Sequence, residues 1–185
     1  LSVMANYTLQ FSRGNADTPT STFSRAGSQR DPVNKLIPMS WDQRHTANVT
    51  VGYALPKYGA TMTVYYNSGS PYTWSPLADS PLSRVNLFPN NEHIPSSLSA
   101  DLSGYADLLR FAGMKMRATL LVYNLFDQLN DSWVNSNTGR AYTAIIRETD
   151  LASHRSDFNT YEDRIHDPTM YSTPRLVKLG LEMVF

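Results

Sequence analysis

Leu179, Leu181, Met183 and Phe185 take alternate positions in the final stretch of the chain, with Lys178, Gly180, Glu182 and Val184 between them. A period of two belongs to a β-strand whose two faces meet different surroundings, because successive side chains leave the backbone on opposite sides. Five further segments carry the same period. Val3 to Phe11 alternates Val3, Ala5, Tyr7, Leu9 and Phe11 with Asn6, Thr8 and Gln10. A second segment sets Ala47, Val49, Val51, Tyr53 and Leu55 against Thr46, Asn48, Thr50 and Gly52, and a third sets Met62, Val64 and Tyr66 against Thr61, Thr63, Tyr65 and Asn67. Leu98, Ala100 and Leu102 alternate with serines and Asp101; Met114, Met116, Ala118, Leu120 and Val122 alternate with Lys115, Arg117, Thr119, Leu121 and Tyr123. Six amphipathic strands are predicted, and their hydroxyl- and amide-rich second face suits a wet interior better than a packed core.

The links between these segments are unequal. Strands two and three are joined by Pro56-Lys57-Tyr58-Gly59, and four and five by a predicted turn from Ala106 to Gly113. The other three links are long and polar, from about Arg13 to Gln43, Ser68 to Pro95 and Asp127 to Pro174. Structureless connections of that size are uncommon in compact soluble domains, whereas an outer-membrane barrel has short periplasmic turns and long outer loops. Counting back from Phe185, the parity of short and long links fits all six strands.

Composition removes several alternatives. No run approaches the roughly 18 to 20 apolar residues that a spanning helix requires, and the mean hydropathy is −0.37, which a barrel tolerates because alternation conceals its apolar face. With no cysteine there is no disulfide framework and no thiolate metal site. Sixteen basic against sixteen acidic residues leave no net field to attract nucleic acid. Leu1 is not a start methionine and no signal peptide is visible at the beginning, so the chain is expected to be a piece or processed form of something longer.

Several motifs resemble one family. Lys178, Gly180, Met183 and Phe185 fill in order the terminal insertion signal of outer-membrane barrels, which the barrel assembly machinery reads. Tyr123-Asn124-Leu125-Phe126-Asp127 resembles the Asn-Leu-Phe-Asp motif near the penultimate strand of TonB-dependent outer-membrane receptors. Asp42-Gln43-Arg44-His45-Thr46, Tyr66-Asn67-Ser68-Gly69-Ser70-Pro71-Tyr72 and Tyr171-Ser172-Thr173-Pro174-Arg175 are similar to stretches of the same family, in the same order. Two departures stand out: Met183 where the family often has an aromatic residue, and Gln128-Leu129-Asn130 after Asp127 where it commonly has lysines and a tyrosine. The resemblance implies an all-β, antiparallel transmembrane β-barrel of about 22 strands filled by an N-terminal plug. Residues 1–185 would be its six C-terminal strands, without the plug or the TonB-contacting segment. The implied function is active uptake of a scarce nutrient, such as a siderophore, corrinoid or glycan, across the outer membrane of a Gram-negative bacterium. Its implied partners are outer-membrane lipid, the rest of the barrel and plug, and through them the TonB complex; it implies no enzyme activity and no cofactor. About six strands cannot close a lipid-facing barrel when single-chain examples start at about eight, so further strands are expected along both edges. A passive porin or a surface adhesin or assembly component is the alternative.

Chemical groups are few. His93 with Ser96 or Ser97 can be forced into a hydrolase scheme, but Asn90-Asn91-Glu92-His93 reads better as a polar loop tip. The last long link gathers His154, Asp157, Glu162, Asp163, His166 and Asp167; these residue types bind calcium or transition metals, yet their spacing matches no known motif and a solvated loop of mixed charge is preferred. Apolar residues from Ala144 to Ser153 suggest a short helix in that link. Tyr53, Tyr58, Tyr66, Phe111 and Phe185 fall near strand ends, as interfacial girdles do. Trp74, Trp133 and Tyr142 lie in the long links and are the candidate ligand contacts, since amphipathic rings give contact area at low entropic cost.

Overall fold

The computed structural model describes residues 1–27, 33–76, 88–111, 113–141 and 167–184. Along the chain these form β1 (Ser2–Leu9), β2 (Arg13–Gly14), helix α1 (Pro19–Gly27), β3 (Ile37–Pro38), β4 (His45–Ala54) and β5 (Tyr58–Asn67). Then follow β6 (Pro71–Tyr72), β7 (Glu92–His93), β8 (Ser97–Phe111), β9 (Met114–Tyr123) and β10 (Leu176–Val184). The fold is all-β in its architecture. One antiparallel meander takes six strands in the order β1-β4-β5-β8-β9-β10, and the pairs β2–β3 and β6–β7 are small additions.

Register turns six separate alternations into two continuous faces, because residues paired across an antiparallel ladder share a side. One row runs Ala5, Val49, Val64, Ala100; the next runs Val3, Val51, Met62, Leu102, Val122, Val177. Gly104, Leu120 and Leu179, then Ala106, Ala118 and Leu181, extend the same face. The opposite face carries Asn6 and Asn48, then Thr50, Thr63 and Asp101, then Ser103 and Thr119 with Tyr105. Among the described residues the buried apolar side chains are Ile37, Met39, Ala100, Val122 and Ala141. Much of the apolar face is open, with Leu179 at 83%, Leu181 at 69% and Met183 at 63% exposure, while Ala100 and Val122 on the same face are buried.

The sheet is an open one. Among the described residues β1 pairs only with β4 and β10 only with β9, so each edge presents unpaired backbone groups. The three long links leave from one end of the sheet and the two short ones from the other, as the strand parity predicts.

Two expectations are corrected. Residues 106–113 are not a turn: β8 runs on to Phe111 and only residues 112 and 113 separate it from β9. The alternation breaks there because Leu108 is an extra residue, a bulge between the pairs Asp107–Arg117 and Leu109–Met116. A bulge shifts the phase by one position, so Ala106 and Leu109 stay on the apolar face while Asp107 and Arg110 stay on the polar one. Without it Leu109 would join Asp107 among the polar groups. The link from Arg13 to Gln43 is not structureless either, since β2, α1 and β3 lie within it.

At the short-turn end Tyr105 closes the polar face. Its hydroxyl donates to the Leu55 carbonyl at 3.0 Å, Arg117 lies 4.5 Å over its ring, and a Cβ on the paired Gly59 would stand 2.7 Å from that ring. Asp107 beside it receives Arg117 and Lys115, each at 2.8 Å.

Candidate functional site

The long-link end of the sheet is held by asparagine and aspartate side chains that substitute for missing backbone partners. Asn124 opens the turn after β9 with φ 51° and Asp127 closes it with φ 53°, a left-handed conformation that Asn and Asp tolerate better than most residues. The buried Asn124 side chain accepts from the Gln128 amide at 2.9 Å and donates to the carbonyls of Gln128 and Thr173 at 3.0 and 3.1 Å. The Asn124 amide itself donates to Asp101 at 3.0 Å. Asp127 accepts from the Arg175 amide at 2.8 Å, fixing the lead into β10. The Asn-Leu-Phe-Asp stretch and Pro174-Arg175 are therefore one knot that ties both ends of the third long link to the sheet.

The other motif stretches do comparable work. Asp42, fully buried, accepts from the Ser12 amide at 2.9 Å and pairs with Arg44 at 3.3 Å. Arg44 in turn lies 4.3 Å over Phe11. Gly69 has φ 80°, and a Cβ there would fall about on the Ile94 carbonyl oxygen, so no other residue fits this position. Asn67 accepts from the Gly69 amide at 2.9 Å.

The first, second and third links join into one layer. Asn90 is not the exposed loop tip expected from sequence. It is 6% exposed, has φ 56°, and its amide group donates to Asp17 at 2.9 and 3.0 Å and to the Pro38 carbonyl at 3.0 Å. Asn91 grips the backbone of Trp74 with bonds of 2.7 and 3.1 Å. Trp74 then reaches the third link, where its indole N–H donates to the Asn137 carbonyl at 3.0 Å, and the Ser75 amide donates to the Ser136 carbonyl at 3.0 Å.

Two clefts open at this end. The larger, of about 730 Å³, lies over the polar face and is lined by Asn67, Ser97, Asp101, Asn130, Asp131 and Lys178 among others. The smaller, of about 550 Å³, lies between the second and third links and is lined by Tyr72, Trp74, Glu92, His93, Arg140 and their neighbours. Tyr72 and Glu92 are cross-strand partners in β6–β7. Tyr72 packs against Gly139, whose φ is 70° and where a Cβ would be 2.4 Å from the hydroxyl oxygen. Partial burial, helped by the Glu92 carboxylate, raises the Tyr72 hydroxyl pKa above its ordinary range while Arg140 opposes the shift.

Of the three aromatic candidates, Trp74 lines the smaller cleft. Trp133 is 71% exposed and lines neither; its backbone amide bonds Met170 instead. Tyr142 lies outside the described residues, as do the metal candidates His154, Asp157, Glu162 and His166 and the suggested helix from Ala144 to Ser153. Asp167, the last of that cluster, caps a short 3-10 turn by accepting from Thr169, which holds its carboxyl below the usual aspartate range. His93 and Ser97 line different clefts.

The insertion-signal positions are placed as follows. Lys178 lies opposite Leu121 and 5.4 Å over the Tyr123 ring, Gly180 opposite Thr119, and Met183 opposite Met116 on the apolar face; Phe185 is outside the described residues. Tyr53, Tyr58 and Tyr66 are half exposed on the apolar face near strand ends, where Tyr7 also meets His45 through a 2.7 Å bond. Arg140 had no sequence signal of its own, and Tyr72 and Glu92 figure in the sequence only within a motif stretch and a polar loop tip, since the cleft forms where the second link meets the third. No protein-family model, curated protein or solved structure matches this chain.

Proposed function

We propose that residues 1–185 are part of the wall and outer loops of a transmembrane β-barrel in a Gram-negative outer membrane, of the TonB-dependent receptor type, serving uptake of a scarce nutrient. One observation carries this reading: a six-stranded sheet whose one face is apolar through every row and largely open, with Val3, Val51, Leu109, Leu179, Leu181 and Met183 exposed and Ala100 and Val122 covered. A soluble protein has no use for such a face unless something covers it. Strand length agrees. Spanning strands need about 9 to 11 residues at a tilt near 45°, and β4, β5 and β9 have 10 each and β10 has 9.

The open edges extend the argument. In hydrocarbon each unpaired backbone group costs several kcal/mol, so β1 and β10 must pair with further strands that complete the barrel. The hydroxyl-rich opposite face would then line the lumen and meet a plug, with energy from the TonB complex reaching the barrel through that missing part. The order and roles of the motif stretches favour this receptor type over a passive porin: the Asn124 knot, the Gly69 contact and the Asp42 clamp are all devices for holding long outer links in one shape. That same stapled layer favours a surface adhesin as the second reading.

Fractionation tests the proposal. The complete protein is expected in the outer membrane, with heat-modifiable mobility on gels, and its cells should take up a ligand only when the TonB system is intact. A soluble, heat-insensitive protein would overturn the barrel; uptake independent of TonB would leave the barrel and overturn the receptor type.

A further inference from the structure

The cleft between the second and third links holds groups that the sheet does not use. Trp74 has its N–H occupied by the Asn137 carbonyl, so what it can offer a ligand is a ring surface rather than a donor. The side chains of Glu92, His93 and Arg140 bond to no other described residue. Glu92 and Arg140 line the same cleft with opposite charge, yet no ion pair joins them. Their positions are fixed from the backbone. Glu92 is held by β6–β7, and Arg140 by a turn in which the Asn135 amide donates to its carbonyl at 3.0 Å and the Gly139 amide to the Asn135 carbonyl at 2.8 Å.

An anion site, a hydrogen-bond acceptor and a flat apolar surface thus converge on one space of about 550 Å³, within the range of ligand pockets. We propose that this cleft binds a carboxylated sugar of the uronic-acid type, one or two rings long. Its carboxylate pairs with Arg140, whose planar guanidinium suits a bidentate partner. Ring hydroxyls donate to Glu92 and bond His93, and the C–H face of the ring lies on Trp74. Other classes fit less of the cleft. A neutral sugar leaves Arg140 unused. A free amino acid satisfies both charges and leaves the aromatic surface and most of the volume empty. A flat hydrocarbon buries three polar groups without bonds, which is unfavourable. The inference rests on the receptor reading in one respect, that these links face the outside where such a ligand arrives.

Calorimetric titration of the complete protein in detergent with digalacturonate, digalactose and glycine tests it. Saturable binding of digalacturonate is expected, at least about tenfold tighter than digalactose, because one charge-assisted pair distinguishes the two. Arg140→Gln should reduce the digalacturonate affinity to that of digalactose, and Glu92→Gln should weaken both sugars. Both side chains are exposed and make no bond within the described fold, so neither change should disturb it. Trp74→Ala should remove binding of both sugars. Absence of saturable binding by digalacturonate, binding unaltered by Arg140→Gln, or equal competition by glycine would each overturn the proposal. Heat-modifiable mobility is read on the same preparations. A barrel that fails to bind sinks this inference alone, and a soluble protein that binds sinks the receptor reading alone.

Discussion

Replacing Asn124 isolates what the turn after β9 contributes. Its side chain makes three hydrogen bonds, two to Gln128 and one to Thr173, from a site 7% exposed. Each is worth about 0.5–1.5 kcal/mol net. Gln128 and Thr173 are themselves exposed and regain water when released, so their freed groups incur no full burial penalty. Asn124→Gly, which keeps the φ of 51° without strain, should therefore cost about 2 kcal/mol. Asn124→Ala loses the same bonds and adds left-handed strain of about 1–2 kcal/mol, partly offset by the greater unfolded freedom of glycine, for a total near 3 kcal/mol. Urea unfolding of the complete protein in detergent, followed by the fraction that keeps heat-modifiable mobility, reads both values from the midpoint shift. Two variants within about 0.5 kcal/mol of the parent would refute the claim that this knot anchors the third link. A glycine variant less stable than the alanine one would refute the backbone part of the argument.

Three further outcomes follow from the same structure. Leu181→Arg, on the apolar face opposite Ala118, should cost about 2 to 4 kcal/mol near mid-bilayer, while Glu182→Gln on the other face should change stability little; refolding into vesicles compares them. Gly69→Ala puts a methyl group onto the Ile94 carbonyl at a φ of 80°, and should leave the strands intact but open the second link to limited proteolysis, so an unaltered digestion pattern would contradict the contact. Asp167 has its pKa depressed chiefly by the Thr169 hydroxyl and then the Thr169 amide; its cap should hold in full above the ordinary aspartate pKa of about 3.9 and fade as pH falls below it, read as faster hydrogen exchange at the Thr169 amide in acid relative to an Asp167→Asn variant.

The strands were legible because their pattern is local and repeated. Six alternations, read singly, gave the number, order and facing of the main strands, and the register joined them without moving a residue to the wrong side. The end of β8 was not legible. An inserted Leu108 breaks the period in sequence and restores it in space, and only the partner strand makes that visible. The loop layer was illegible for a related reason. Asn90 looks like a solvated tip beside Asn91 and Glu92, but its partners Asp17 and Pro38 lie in a different link. Trp74 stood out as a large ring in a polar stretch, whereas Arg140 is an ordinary loop cation until the Asn135 turn brings it to the same cleft. Motif residues such as Asn124 and Gly69 carried a signal, and the structure gives it a physical content: turn conformations and close approaches rather than ligand chemistry.

The claim on which the rest depends is that the continuous apolar face meets lipid. Nitroxide labels placed singly at positions 177, 178, 179, 181 and 182 of the complete protein, reconstituted in vesicles, test it directly through collision with oxygen and with a water-soluble nickel complex. Labels at 177, 179 and 181 should favour oxygen, and those at 178 and 182 the aqueous reagent, in step with the pairing of β10 to β9. The reverse alternation would mean that the sheet is inside out, and equal aqueous access at all five positions would mean that this face does not lie in a membrane at all.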